Sequence, residues 1–232
     1  MKPLRRMPHP LCALRRASRE TFGTPYYDHD MSSLGGSELG ARAGSRVVVF
    51  ASSAGGVRAL GVVLAALPAD LPAAMVAVQH LDPKHNSLLP EILSKNCRLD
   101  VRRATEGAIL REGVVYIAPP DRHVLVNPDA TLSLTHTELV NFVRPSADLL
   151  FDSVAASFGQ RAIAVVLSGT GRDGSMGVKA VKQMGGVVVV QDEDTSEFSG
   201  MPHAARAMGP DYVLALEHIA PLLVTLIQGA GL

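Results

Sequence analysis

Short apolar runs alternate with helix-like segments from residue 46 onwards. Runs rich in Val, Ile and Ala predict strands at residues 46–51, 73–79, 114–118, 162–168, 186–191 and 211–215. Helix-like segments lie between them, near residues 57–67, 84–96, 146–158, 174–184 and 217–228. Continuously apolar strands that are separated by helices are typical of a parallel sheet covered on both faces. We therefore predict an α/β fold with a doubly wound, mostly parallel sheet and helices on both faces.

Residues 123–135 depart from this order. Two runs of alternating apolar and polar positions flank Asn127-Pro128-Asp129-Ala130, whose residue types are those of tight turns. Two such runs around a short turn predict a β-hairpin. We expect this hairpin to be an insertion in the α/β domain.

The first 45 residues have a different character. Arg5, Arg6, Arg15, Arg16 and Arg19 are scattered among Pro, Ser, Gly and Tyr, with no apolar segment of the kind found in secretion signals. Such a composition predicts a disordered leader over residues 1–45. Residues 46–232 are predicted to form one domain.

The amino-acid composition limits which binding partners and which cellular location we expect. Lys plus Arg and Asp plus Glu number 22 each, so the formal net charge is zero and no overall field attracts nucleic acid or a membrane surface. No apolar run reaches the roughly 18 residues that a membrane span needs, which predicts no membrane insertion. Cys12 and Cys97 cannot make a disulfide framework, which favours a reducing, cytoplasmic location.

Chemically active residue types follow three of the predicted strands. Ser53 lies just after residues 46–51, His80 follows residues 73–79, and Asp173 lies in the loop after residues 162–168. In parallel α/β sheets, sites form where the carboxyl ends of the strands meet. A hydroxyl, an imidazole and a carboxylate are the groups needed for nucleophilic acyl transfer. We therefore predict a Ser-His-Asp site, with a chain order that differs from Ser…Asp…His of the α/β-hydrolases.

Each of these residues also has a purely structural interpretation. Ser52 or Ser53 is suited to cap the following helix, and Asp173 is suited to cap the helix that starts near Ser175. Asp121 competes with Asp173 for the carboxylate role. Other histidines in loop-like positions are His85, His123, His136 and His203.

A different class of function is suggested by the loop of Asp173 itself. Gly169-Thr170-Gly171-Arg172-Asp173-Gly174 matches Gly-x-Gly-x-x-Gly between a strand and a helix, and Asp192 ends the next strand. This context is that of a dinucleotide-binding loop. Two features oppose it. Asp173 places a negative charge where a pyrophosphate would approach the helix, and the motif lies too late in the chain for two nucleotide-binding halves.

Several blocks of sequence together resemble a known family. The blocks, in order, are Ala51-Ser52-Ser53-Ala54-Gly55-Gly56, Val78-Gln79-His80, Tyr116-Ile117-Ala118-Pro119-Pro120-Asp121-Arg122-His123, Arg144-Pro145-Ser146-Ala147-Asp148-Leu149-Leu150-Phe151, Leu167-Ser168-Gly169-Thr170-Gly171-Arg172-Asp173-Gly174 and Gly200-Met201-Pro202-His203-Ala204-Ala205. Over residues 46 to about 228 the chain resembles the catalytic domain of CheB, the protein-glutamate methylesterase of bacterial chemotaxis. The resemblance implies Ser53 as nucleophile, His80 as base and Asp173 as the carboxylate that orients the base.

The expected reaction needs donors for an oxyanion. Backbone amides near Ala54 and Gly55, and near Thr170 and Gly171, are predicted to supply them, because helix N-terminal amides favour negative charge. Met201 is a further candidate for substrate contact. The histidines lack a His-x-x-x-His spacing and the two cysteines lie far apart in sequence, so neither a metal nor another cofactor is expected.

The chain also departs from the family. Ala54 replaces a threonine that is usual in the serine block, and Thr170 stands where methionine is common. Typical members carry an N-terminal receiver domain, for which 45 residues are too few, so we expect activity without phosphorylation. The implied partners are methylated cytoplasmic helices of chemoreceptors, with glutamine deamidation as a related activity. A non-catalytic docking module of the same fold is the remaining alternative.

Overall fold

A computed structural model describes residues 45–80 and 87–229 of the 232-residue chain. The predicted leader lies outside these residues except for Ser45, which is buried at the edge of the domain and donates a hydrogen bond from its hydroxyl to Glu112.

The domain is built on a sheet of seven parallel strands, with a separate two-stranded hairpin. The strands are β1 (Arg46–Ser52), β2 (Ala73–Gln79), β3 (Asp100–Arg103), β4 (Val114–Ile117), β5 (His123–Val126), β6 (Leu132–Thr135), β7 (Ala162–Val166), β8 (Val187–Gln191) and β9 (Tyr212–Leu214). The helices are α1 (Gly56–Ala66), α2 (Leu89–Ser94), α3 (Ala147–Phe158), α4 (Ser175–Gln183), α5 (Gly200–Arg206) and α6 (Leu216–Gln228), with a 3₁₀ turn at Gly159–Arg161. The strand order is β3-β4-β2-β1-β7-β8-β9.

Both faces of the sheet are covered, as predicted. Along β1, Val47, Val49 and Ala51 pack with α3, α4 and α5, whereas Val48 and Phe50 pack with α1, α2 and α6. All five side chains are fully buried. Burying a Val or Phe side chain stabilises a fold by about 1.5–3 kcal/mol, so a strand that is apolar at every position belongs at the centre of such a sheet. The doubly wound α/β prediction is confirmed.

Two elements were not predicted, and one helix is shorter than predicted. The edge strand β3 reads Asp-Val-Arg-Arg and is mostly exposed, so it lacks the apolar run by which the other strands are found. Helix α5 starts at a glycine and has a proline at its third position, which are residue types of loops. Of the helix expected at residues 84–96, the structure has α2 over Leu89–Ser94, and residues 81–86 lie outside the described part.

The sheet has a topological switch point at β1, where later strands are added on the side opposite to the earlier ones. From β1 the chain proceeds to β2 on one side, and it later enters β7 on the other side. A crevice forms at the carboxyl ends of strands at such a switch point. In the pairing of β1 with β2, Ser52 lies opposite Gln79, so the residues that follow them, Ser53 and His80, emerge next to each other at this crevice.

The predicted hairpin is present as β5 and β6 and lies against α3. Ser153 accepts a hydrogen bond from the Val126 amide, and Ser157 donates one to the Val126 carbonyl. These two bonds attach the hairpin to the second half of α3. Within the described residues, no helix combines the length and the apolarity needed to cross a bilayer.

Candidate active site

Ser53 occupies the first position after β1 and is held there by its backbone. Its amide donates to the Ser168 carbonyl over 3.0 Å, and its carbonyl accepts from the Gly56 amide over 2.8 Å. A Cβ at Gly169 would lie only 2.9 Å from the Ser53 Cβ, so only glycine allows this close approach. The half-buried Ser53 side chain is thus fixed at the mouth of the crevice.

The interpretation of Ser52 or Ser53 as a helix cap is wrong. The residue that caps α1 is Gly55, which has a φ of 71°, and no side chain makes a capping hydrogen bond. The Ser52 hydroxyl is fully buried and donates to the Gln79 side-chain oxygen over 2.7 Å. Ser52 therefore has a structural role, and Ser53 stays the predicted nucleophile.

Gln79 joins the ends of β1 and β2. It is buried, and its side-chain nitrogen donates to the Ser53 carbonyl over 2.8 Å and to the His80 carbonyl over 3.0 Å. Its side-chain oxygen accepts from Ser52. One amide side chain thus fixes the backbones of both Ser53 and His80, and it can do so because a primary amide both donates and accepts.

His80 and Asp173 form a close pair. The His80 Nε2 atom lies 2.8 Å from Asp173 Oδ2, with the histidine side chain 15% exposed and the carboxylate 4% exposed. A neutral His80 whose proton resides on Nε2 donates to Asp173 and keeps a free lone pair on Nδ1. The geometry therefore makes Nδ1 the basic atom of this histidine.

Asp173 is held in its ionised form by three further donors. The Ser146 hydroxyl and the Asp148 amide donate to Oδ1 over 2.8 and 3.2 Å, and the Ala147 amide donates to Oδ2 over 2.6 Å. Burial alone would raise the pKa of Asp173, but the hydrogen bonds from His80, Ala147 and Ser146 outweigh it and leave the pKa below its usual value. A carboxylate at neutral pH follows from this arrangement.

This lowered pKa predicts a specific pH dependence of stability. Since the folded pKa lies below the unfolded value of about 3.9, ionised Asp173 stabilises the fold above that pH and loses this contribution as the pH falls through the folded pKa. The difference in free energy of unfolding between the wild type and Asp173→Asn is therefore expected to be large at pH 7 and smaller at pH 3. Urea unfolding of both proteins at each pH measures it, and a difference that does not change with pH would contradict the assignment.

The interpretation of Asp173 as a cap of α4 is also wrong, because it caps α3 instead. The converse contact is made by Asp148 in α3, whose Oδ1 accepts from the Gly177 amide in the first turn of α4 over 2.9 Å. The two helices thus exchange caps. The start of α4 already faces two carboxylates, which opposes a pyrophosphate at this position and contradicts the dinucleotide-binding alternative.

The competing residues have structural roles. Asp121 accepts from Arg144 and from His136, with an Oδ2 to Nε2 distance of 3.0 Å for the histidine.

Among the other candidates, His123 is fully buried and forms hydrogen bonds with the Glu138 carbonyl and the Ser146 amide. His203 lies 3.2 Å from Glu193 on the surface, and His85 lies outside the described residues. Asp192 accepts from Thr195 in a local turn.

A cavity of about 360 Å³ opens over the pair. Its lining contains all three predicted catalytic residues, and in full comprises Ser53, His80, Asn141, Phe142, Val143, Thr170, Gly171, Arg172 and Asp173. Ligand sites in proteins have volumes of about 300–1,000 Å³, so this cavity is large enough for one side chain of a substrate. The structure thus brings Ser53, His80 and Asp173 to one site, and their catalytic roles stay predictions.

The predicted oxyanion and substrate residues divide into two groups. Thr170 and Gly171 line the cavity, whereas Ala54, Gly55 and Met201 are not among its lining residues. Within residues 45–80 and 87–229, no hydrogen bond uses the backbone amides of Ala54, Gly55, Thr170 and Gly171. These amides therefore stay available as donors. Met201 is buried beneath Gly169, and its amide donates to the Gly169 carbonyl over 2.8 Å, which makes it a support of the loop.

Sequence reasoning assigned no function to several of these residues. Ser146 and Ala147 belong to a block quoted for the resemblance, yet nothing local shows that their polar groups reach Asp173. The same holds for Asn141, Phe142 and Val143 in the cavity wall.

Among the described residues, no cluster of three His, Cys, Asp or Glu side chains is placed to hold a metal ion. That the reaction needs no metal stays a prediction.

Comparison with known proteins identifies one family. The family model described as CheB methylesterase matches residues 48–223. A protein-glutamate methylesterase/protein-glutamine glutaminase of Moorella thermoacetica is 42% identical over 83% of this chain and 46% of its own length. A Leptospira interrogans relative, whose name contains the same two activities, is 40% identical over 78% of this chain and 94% of its own length.

A solved structure shows the same fold. The CheB methylesterase catalytic domain of Thermotoga maritima superposes with a TM-score of 0.77 at 35% identity, covering 80% of this chain and all of that domain. The chain spans about half the length of the Moorella relative and most of the Leptospira one. On the family model, these relatives and this fold, the chain belongs to the CheB methylesterase family.

Proposed function

We propose that this protein hydrolyses γ-methyl esters of glutamyl side chains on chemoreceptors and releases methanol. The observation that carries the proposal is the 2.8 Å contact between His80 and Asp173 in a cavity that Ser53 also lines. The names of the family and of the relatives supply the substrate class.

The first half of the reaction forms an acyl-enzyme. The Ser53 Oγ attacks the ester carbonyl carbon while its proton passes to His80 Nδ1, which gives a tetrahedral oxyanion and an imidazolium. Asp173 stabilises the imidazolium through Nε2. Collapse of the oxyanion breaks the bond to the methoxy group, which takes the proton from His80 and leaves as methanol.

The second half restores the enzyme. Water attacks the acyl carbon and loses a proton to His80, and the new tetrahedral species expels the Ser53 oxygen, which takes that proton back. The product is a glutamyl side chain with a free carboxylate. Asp173 stays ionised throughout, in keeping with its lowered pKa.

Charge on the oxyanion requires preorganised donors. Thr170 and Gly171 line the cavity, and the amides of Ala54 and Gly55 precede the first turn of α1. We assign the oxyanion to these amides, because an unengaged amide at a helix start costs no rearrangement when charge develops. Losing one such donor typically slows a reaction by about 100- to 1,000-fold.

Glutamine deamidation is a second activity that the same site supports. The relatives from Moorella and Leptospira carry protein-glutamine glutaminase in their names. Attack of Ser53 on a glutamine side chain gives the same acyl-enzyme, with ammonia in place of methanol as the leaving group. Since an amide is a poorer acyl donor than an ester, the deamidation rate is expected to be lower than the esterase rate.

Compartment and partners follow from the same assignment. Cys97 is a free thiol, which is consistent with action in the reducing cytoplasm, where the methylated receptor helices are expected. The balanced charge of the whole chain gives no reason to expect nucleic acid as a partner.

The proposal predicts methanol release from a receptor fragment. The intact chain is incubated with a receptor cytoplasmic fragment that carries methylated glutamates. Gas chromatography measures the methanol released, and mass spectrometry follows the loss of the mass of one CH₂ for each ester that is hydrolysed. A matched fragment with glutamine at those positions tests deamidation. Absence of methanol release from a fragment that a known methylesterase demethylates would leave the non-catalytic docking module as the better explanation.

A further inference from the structure

An unusual turn forms one wall of the cavity. Val140 and Val143 exchange both backbone hydrogen bonds, over 3.2 and 3.0 Å. The two residues between them, Asn141 and Phe142, have φ values of 50° and 66°. A two-residue turn with positive φ at both central positions is the tightest connection between antiparallel segments, and it favours Asn at the first position and Gly at the second.

Phe142 is the residue that does not suit this turn. Asparagine visits positive φ with little strain, whereas a bulky aromatic residue there is a clear outlier. Its ring gains nothing from burial either, since Phe142 is 95% exposed. Strain without compensating burial is typical of residues that a protein uses for binding or catalysis.

The turn is anchored to the buried part of the site. The Asn141 side-chain nitrogen donates to Asp148 Oδ2 over 3.0 Å, and Asp148 is the buried carboxylate that caps α4. Phe142 therefore projects from a fixed base and lines the same cavity as Ser53 and His80.

A cation lies in the same cavity lining. Arg172 is exposed, and within the part of the chain that the structure describes its guanidinium has no hydrogen-bond or ion-pair partner. An aromatic ring and a guanidinium beside one cavity match a helix that presents an apolar and an acidic side chain near its reacting residue. Tyr, Trp, Phe, Met and Arg are enriched in protein interfaces, and Tyr, Trp and Arg at their energetic centres.

We propose that Phe142 is a docking residue that determines selection of a protein substrate. In this proposal, which rests on the proposed function, the esterified side chain enters the cavity and its parent helix lies across the rim. Residues three or four positions away on a helix lie about 5–6 Å from the reacting one. An apolar side chain at such a position packs on the Phe142 ring, and an acidic one pairs with Arg172.

The proposal is tested by comparing two substrates in one set of variants. Phe142→Gly removes the ring and at the same time gives the turn the residue that its φ favours, so a loss cannot be ascribed to a damaged turn. The measured quantity is kcat/KM for a methylated receptor fragment divided by kcat/KM for a small ester, N-acetyl-glutamate γ-methyl ester amide. We expect Phe142→Gly to lower this ratio by about 10- to 100-fold, mainly through KM for the receptor fragment.

Two further variants serve as controls for Phe142→Gly. Phe142→Tyr keeps an aromatic ring and is expected to keep the ratio within about threefold of the wild type, a margin typical for an exposed aromatic exchange. Met184→Ala removes an apolar side chain of 49% exposure from the far end of α4, and it is expected to leave the ratio at its wild-type value.

Each remaining outcome contradicts the proposal in a distinguishable way. An unchanged ratio in Phe142→Gly would show that the ring does not contact the substrate protein. Equal losses on both substrates would make Phe142 part of the cavity wall alone. If the wild type cleaves the small ester and not the receptor fragment, the proposed function itself fails, and the docking proposal fails with it.

Discussion

Replacing Ser53 with alanine is expected to lower kcat for ester hydrolysis by at least about 10⁴-fold, because loss of the serine of a Ser-His-Asp site has cost up to about 10⁶-fold elsewhere. The removed hydroxyl makes no hydrogen bond within the described residues, and the backbone contacts of Ser53 persist in the variant. The fold and the thermal midpoint should therefore change little. Methanol release and circular dichroism on the same preparation measure both effects.

Ser52 provides the matched control. Ser52→Ala removes a buried hydroxyl that donates to Gln79, which is expected to cost about 1 kcal/mol of stability with a small change in rate. The two neighbouring serines thus separate stability from chemistry. A Ser53→Ala variant that keeps a substantial fraction of the wild-type rate, beside an inactive Ser52→Ala, would reverse the assignment of the nucleophile.

The positions of Ser53 and His80 could be predicted from sequence because they depend on short-range patterns. A run such as Val47 to Ala51 has to lie inside a covered parallel sheet, and the residue that follows it has to emerge at the carboxyl edge. The same reasoning identified the loop of Asp173. It failed for β3, because an edge strand with charged residues carries no burial signal.

What could not be predicted depends on contacts between distant segments. Asp173 precedes α4 and has the form of its cap, yet its carboxylate turns to the amides of Ala147 and Asp148, which lie 26 and 25 positions earlier in the chain. A capping pattern in sequence does not tell which helix receives the cap. Likewise, the residue types around Phe142 do not indicate that its backbone adopts a positive φ. This φ accompanies the two backbone hydrogen bonds between Val140 and Val143, which close a two-residue turn.

The dinucleotide alternative illustrates how a correct local context can give a wrong function. The Gly169–Gly174 loop does follow a strand and precede a helix, as a phosphate-binding loop requires. However, the Gly177 amide of α4 is already engaged by Asp148, and Asp173 lies beside it. Gly169 instead allows close packing, since a Cβ at this position would collide with Met201 and Ser53.

Asp173→Asn is expected to lower kcat by about 10⁴-fold with little change in KM, the size found for the equivalent swap in a serine protease. The carboxylate accepts from His80, Ser146 and the amides of Ala147 and Asp148, and every one of these groups donates. An asparagine side chain has one NH₂ group, which must face a donor in either orientation. Asparagine at position 173 also favours the His80 tautomer that carries its proton on Nδ1. In this tautomer Nδ1 has no free lone pair, so it cannot take the proton of Ser53.

A second Asp–His pair in the same chain serves as the control. Asp121 lies 3.0 Å from His136 on an exposed loop outside the cavity lining, so Asp121→Asn is expected to hydrolyse the ester at the wild-type rate. Steady-state kinetics on both variants are read beside a titration with a dinucleotide. A near-normal rate in Asp173→Asn would remove Asp173 from the mechanism. Dinucleotide binding that strengthens in this variant would instead restore the phosphate-loop alternative, because the substitution deletes a negative charge beside the start of α4.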